Sequence, residues 1–331
     1  MLLSSLNPTT IGITNSPSLD ELKPNLLPQD YLTRESLEIY QANDPRIPIL
    51  MYHSIDSPRY WIDVPTFRSH LEMLYKAGYS TIRMKDYLHN DFRSIPMGRK
   101  PILLTFDDQW ASQFYYEDKK GTIISKNCVV GVLDEFAKQH PSFGKHAVFY
   151  LFFHRIPFNG LDENELWKKK IDYLLKNGYE IGSHTYDHSV MTDMTNQQIK
   201  RELDLSFRHL IPLLKDYPSQ TLTLAYPGGN IPKNKHFISE YSNQGITIKA
   251  SFKASGGFAK VPYHFNSGLH TIPRIEGSTE NIRMIIQTAT FQKQAKTIWI
   301  PKLFIHSRDL VVKWMQENTN GVKTHFFCEL Y

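Results

Sequence analysis

The chain is poor in cysteine, in long apolar runs and in charge of one sign. Only Cys128 and Cys328 occur in 331 residues, which excludes a disulfide framework and a cysteine-based zinc site. No stretch of about 18 apolar residues exists, so no membrane-spanning helix is expected. Lys and Arg number 38 against 33 Asp and Glu, a net charge of +5 spread along the chain without a basic block; nucleic acid is therefore not an expected partner. There is also no internal repeat and no low-complexity tract. What remains is a globular composition, 41% hydrophobic and 21% charged, able to bury a real core. Aromatic residues make up 13%. They suit core packing or a cleft that stacks on flat rings, and composition does not choose.

Residues 1–45 differ from the rest. Pro17, Pro24 and Pro28 punctuate a polar segment, which reads as an extended arm or leader. Its first residues have no basic region and no small-residue cleavage site, so no signal peptide is expected in the sequence as it stands. From Arg46 onward a different rhythm begins, expected to run as one domain over 46–331. Strands are predicted at 47–52, 102–106, 147–153, 179–182, 221–226, 246–252, 271–275 and 297–305. Helices are predicted at 66–77, 130–139, 163–176, 195–214, 284–289 and 310–318, with Thr195 as an N-cap. Strands alternating with helices point to a parallel sheet, and this number suits a distorted, incomplete (β/α) barrel.

In parallel α/β folds, chemistry sits at the C-terminal ends of strands. Those ends carry His53, the pair Asp107 and Asp108, then Ser183, His184 and His188, then Pro227-Gly228-Gly229, then Arg274, and finally His306. Each alone has an ordinary reading as a turn, cap, salt bridge or satisfied histidine. Their joint placement at the same end of at least five strands does not. Two histidines four apart with one carboxylate make a cation site with positions left open for water and substrate. The expected ligands are Asp108, His184 and His188. Asp107 points to the other face of its strand and is free to act as a base.

In this order the residues resemble the polysaccharide deacetylases (carbohydrate esterase family 4). Ile49-Leu50-Met51-Tyr52-His53-Ser54 is similar to that family's opening strand. Leu103-Leu104-Thr105-Phe106-Asp107-Asp108 is similar to its first motif, and Ser183-His184-Thr185-Tyr186-Asp187-His188 to its second. Leu224-Ala225-Tyr226-Pro227-Gly228-Gly229 is similar to the third, and Leu303-Phe304-Ile305-His306 to the last. The resemblance implies a metal-dependent hydrolase that removes N-acetyl groups from an amino-sugar polymer, with metal-bound water as the nucleophile. Asp108, His184 and His188 would hold a divalent metal, zinc first, with cobalt or nickel fitting the same ligands. Asp107 would be the base, His306 the acid, and the backbone N–H of Gly228 an oxyanion donor. A wall or matrix polymer as substrate implies a location outside the cytoplasm.

The departures are specific. Gln109 stands where the family has Gly, and a side chain there is expected to narrow the cleft or touch substrate. Ala225 stands where an Arg often orients the base; Arg274 is expected to replace it or to form a plain salt bridge. No counterpart of the family's fourth motif is found. The stretch 110–145 is longer than usual and is either a loop over the site or a surface excursion. Hydrolysis of another non-peptide C–N bond, or carbohydrate binding without catalysis on the same fold, are the competing readings. A two-carboxylate glycosidase is more distant, because that chemistry does not call for paired histidines.

Overall fold

A computed structural model describes residues 46–291, apart from 57–61, 90, 92–93, 97–98, 163, 261 and 263–267. The predicted strand 297–305, the predicted helix 310–318, His306 and the N-terminal arm lie outside the described residues.

The elements follow the expected alternation. In chain order they are β1 (Arg46–Ile47), β2 (Ile49–Tyr52), α1 (Val64–Lys76), β3 (Tyr79–Thr81), α2 (Met84–Leu88), β4 (Lys100–Phe106) and α3 (Val129–Gln139). Next come β5 (Val148–Leu151), α4 (Trp167–Lys176), β6 (Glu180–Ser183), α5 (Asn196–Leu214), β7 (Leu224–Ala225) and α6 (Lys235–Glu240). The last are β8 (Ser242–Asn243), β9 (Ile246–Thr247), β10 (Ser251–Phe252), β11 (Ala259–Lys260), β12 (Ile275–Glu276) and α7 (Thr279–Phe291).

The main sheet is eight-stranded, in the order β10-β7-β6-β5-β4-β2-β12 with β3 added beside β4. Every pairing in it is parallel. The final stretch ties its two edges together. Ile272 bridges Phe252 of β10, and Ile275 pairs with Leu50 of β2. The sheet thus curls back on itself as a distorted, incomplete barrel.

Period-two alternation divides the core into two layers. Leu50, Leu104, Phe106, Phe149, Leu151 and Ile181 pack outward against Phe67, Leu71 and Leu74 of α1, Val132 of α3 and Leu203 of α5. Ile49, Leu103, Val148, Tyr150, Ala225, Phe252 and Ile272 form the inner cluster. Gly182 is required where strands come close inside, because a Cβ there would stand 2.5 Å from the Tyr150 ring. The helix starts obey local chemistry. Thr195 caps α5 in a reciprocal capping box with Gln198, and Asp63 caps α1 by accepting the Thr66 N–H.

Two parts of the sequence reading change. The predicted strand 246–252 is two short strands, Ile246–Thr247 and Ser251–Phe252; the first is preceded by Gln244 and Gly245, both with positive φ, 51° and 77°. They turn β8 antiparallel onto β9 with Asn243 opposite Ile246, a hairpin of the primed type, and only Ser251–Phe252 reaches the main sheet. The stretch 110–145 is neither a cover over the site nor a surface excursion. It buries Phe114, Tyr116 and Cys128 in the outer core and continues into α3.

Candidate active site

The first motif ends β4. Leu103, Thr105 and Asp107 alternate on the inner face, and Asp107 is only 2% exposed. Arg274, fully buried, reaches it across the barrel. Its Nη1 donates to Asp107 Oδ1 at 2.7 Å and its Nη2 to Oδ2 at 2.6 Å. The guanidinium is itself fixed, with Nη1 donating to Thr105 Oγ1 at 3.0 Å and Nε to the Lys253 carbonyl at 2.7 Å. It also lies 5.6 Å from the centre of the Tyr150 ring. Burial alone would raise the Asp107 carboxyl; the charges of Arg274 and His184 outweigh it and hold the group below the usual carboxylate range. The strands thus bring Arg274 to Asp107 in the bidentate geometry an Arg at position 225 would otherwise be needed for.

After Asp107 the backbone leaves the strand abruptly. Asp108 and Gln109 have φ of 70° and 48°, and Thr185 and His188 both have 66°. These are four of the six non-glycine residues with positive φ among the described residues. The backbone strain, on the order of 1–3 kcal/mol per residue, is therefore concentrated in the two loops that carry the predicted ligands.

Those loops converge. His184 Nδ1 donates to the Ala225 carbonyl at 2.8 Å, so the neutral ring presents the lone pair of Nε2. That lone pair faces Asp108 Oδ1 at 3.2 Å. His188 Nε2 stands 3.1 Å from the same oxygen. Asp108 Oδ1 is buried and accepts no hydrogen bond. The three ligand atoms lie within 4.8 Å of one another. Lone pairs opposed in this way repel unless a positive charge sits among them, so the donor set fits a divalent cation. Without one, a proton takes its place: contact with Asp108 raises the His188 imidazole above its ordinary value. Burial would raise the Asp108 carboxyl, yet His184, His188 and His53 hold it well below the usual range.

The other candidates fall at the same rim. His53 Nε2 lies 3.9 Å from Asp108 Oδ2, and burial lowers its pKa. Gly228 adopts φ 61° in the short turn Pro227–Gly229. The N–H groups of Tyr226 and Gly229 donate to the carbonyls of Phe252 and Tyr226, and Pro227 has none, leaving the Gly228 N–H outside those bonds. Gln109 departs from expectation. It does not reach into the cleft: it is 4% exposed, its Oε1 accepts the Phe152 N–H at 3.0 Å, and its Nε2 donates to the Arg155 carbonyl at 3.3 Å.

One residue beneath the site escaped sequence reasoning. Gln113, fully buried, donates from Nε2 to the carbonyls of Asp107 at 2.6 Å and His53 at 3.0 Å. It ties the end of β4 to the end of β2. Its partners are main-chain atoms, so no side-chain pattern marks it.

The curled parallel sheet thus carries at one rim two histidines, a carboxylate oxygen facing both of them and a second carboxylate clamped by Arg274. The chain matches the family model for polysaccharide deacetylase over residues 94–248. It is 25% identical over 189 residues to YxkH of Bacillus subtilis (strain 168), a provisionally named polysaccharide deacetylase. That match covers 56% of this chain and 57% of the relative. Two solved structures share the fold. The Streptococcus pyogenes deacetylase PplD in complex with acetate is 18% identical, with a TM-score of 0.56, over 74% of this chain and 99% of that one. IcaB from Ammonifex degensii is 16% identical, with a TM-score of 0.53, over 76% and 99%.

Proposed function

We propose that the chain is a divalent-cation-dependent hydrolase that removes N-acetyl groups from an amino-sugar polymer outside the cytoplasm, with zinc as the ion. One observation carries the cation reading: the buried Asp108 Oδ1 accepts no hydrogen bond while two imidazole nitrogens face it at 3.1 and 3.2 Å. When bound, the ion supplies Lewis acidity, polarising the acyl carbonyl and making water nucleophilic near neutral pH.

The chain's own groups divide the remaining work. Asp107 is ionised and cannot rotate, because Arg274 holds both of its oxygens; it is the base that takes a proton from the attacking water. The N–H of Gly228 is the proposed donor to the tetrahedral oxyanion, a kind of contact worth about 2.7–4 kcal/mol. His306, assigned by its place in the Leu-x-x-His motif, protonates the departing nitrogen. Water adds to the acyl carbon, the C–N bond breaks, and acetate and a free amine leave.

The test is acetate release from N-acetylglucosamine oligomers by zinc-loaded and chelator-treated protein side by side. Release that stops with chelator and returns with zinc is the expected result. Stoichiometric zinc with no release from any oligomer would overturn the substrate assignment.

A further inference from the structure

The turn between the two histidines is gripped by one stripe of α5. Glu202, Ser206 and His209 follow at four and three residues and so share a helix face. Glu202 is 6% exposed and Ser206 fully buried, although Leu203, Phe207 and Leu210 beside them supply the apolar packing of the helix. Each residue of the stripe meets the turn. Ser206 Oγ lies 2.9 Å from Ser183 Oγ, which accepts the Thr185 N–H at 3.2 Å. Glu202 Oε2 accepts the N–H of Tyr186 at 3.1 Å and of Asp187 at 3.2 Å. The His209 ring stacks on Tyr186 and on Phe153, with centroids 6.0 and 5.0 Å apart. From the other side, the N–H groups of Phe153 and His154 donate to the Tyr186 carbonyl at 2.9 and 2.8 Å.

The turn needs this hold. Thr185 and His188 both sit at φ 66° without being glycine, so another backbone path would be less strained and would separate the two imidazoles. Glu202 binds the two consecutive N–H groups between the ligands through a single oxygen. We infer that Glu202 is a positioning residue for the cation site, fixing the backbone between His184 and His188 so that both Nε2 atoms meet Asp108. The inference rests on the cation reading above and extends it to a helix that contributes no ligand.

Both bonds end on Oε2, and this sets the test. A glutamine can offer its carbonyl oxygen in the same place; an alanine cannot, and an aspartate is one methylene short. Amide exchange at Tyr186 and Asp187 is followed in the metal-free full-length chain, then zinc affinity by chelator competition and the visible spectrum of the cobalt-loaded protein. In Glu202→Ala both amides should exchange faster and zinc affinity fall about 10–100-fold, in a metal-free protein that still unfolds cooperatively. Glu202→Gln should restore exchange, affinity and spectrum. An alanine variant that binds zinc as tightly as wild type would overturn the inference, as would a folded glutamine variant as weak as alanine. Should alanine not fold, Glu202→Asp replaces it, with weakened zinc binding expected and wild-type binding overturning the role. Failure of the cation reading itself shows earlier and separately, as wild-type protein that takes up no zinc.

Discussion

Arg274 and Asp107 are both buried, and neither charge is tolerable there without the other. Breaking a buried pair from one side leaves an uncompensated charge and costs about 3–5 kcal/mol. Arg274→Ala should therefore lower the melting temperature by many degrees in a calorimetric scan, and the released Asp107 carboxylate should turn over substrate far more slowly. Arg274→Lys keeps the charge but has no planar fork to hold two oxygens. It should recover much of the stability and little of the turnover. Asp107→Asn removes the base: Arg274 keeps one acceptor but loses its counter-charge, so the melting temperature should fall too, while the three candidate ligands are untouched; acetate release should fall about 10²–10⁴-fold with zinc uptake at wild-type stoichiometry in the folded protein. A variant that loses zinc as well would show that Asp107 holds the ion rather than the proton. Gln109 presents a different balance. Its φ of 48° costs about 1–2 kcal/mol in a residue with a Cβ, and its two side-chain bonds to Phe152 and Arg155 return about 0.5–1.5 kcal/mol each. Gln109→Gly relieves one and loses the other. Global stability should change little, but the Phe152 amide should lose protection in hydrogen exchange.

At the scale of elements, the parts visible in the sequence are those whose pattern is local. The β4 run ends in two carboxylates, so both the strand and its functional end could be read from 102–108. Thr195 with Gln198 announces the start of α5, as the capping box shows. What escaped is held by distant partners. β3 is three residues long and survives because β4 pairs with it. Gln113, Glu202 and Ser206 act on backbone groups or on a remote hydroxyl, which leaves no spacing to detect. Helix α2 is the clearest case. It is only five residues long, and its start is held by Glu180 of β6, which accepts the N–H groups of Met84 and Lys85 at 2.7 and 3.2 Å. Burial raises the Glu180 carboxyl to about 7, against those two bonds, which favour the ionised form. Its folded value lies above the unfolded one. The folded state therefore binds the extra proton between the two values, and its stabilisation is complete below about 4.5 and lost as pH rises through 7. Glu180→Gln removes that dependence. Melting temperatures of the wild type should fall between pH 5 and 8 by more than those of the variant; parallel curves would remove Glu180 from the pH response.

At the scale of the whole molecule, folding and cation binding pull the rim in opposite directions. The barrel brings β4 and β6 together and thereby sets a carboxylate oxygen against two imidazole nitrogens, an opposition that a cation removes and a proton on His188 relieves only in part. The metal-free fold carries that opposition, and the strained loops at Asp108, Thr185 and His188, as the condition for having a site at all. An ion that binds only the folded chain returns stability by mass action, about 2.7 kcal/mol at a free concentration one hundred times its dissociation constant. Zinc should therefore raise the melting temperature of wild-type protein, and a chelator should lower it. Asp108→Asn separates the two effects. Its amide can donate to the His184 or His188 nitrogen where the carboxylate oxygen could only oppose it, so the metal-free variant should melt at or above the metal-free wild type. It should also lose the zinc-dependent shift, because a neutral oxygen is a poor third ligand. A variant less stable without metal than wild type would mean that the rim is already satisfied by protons, and that the opposition at Asp108 is not what the ion relieves.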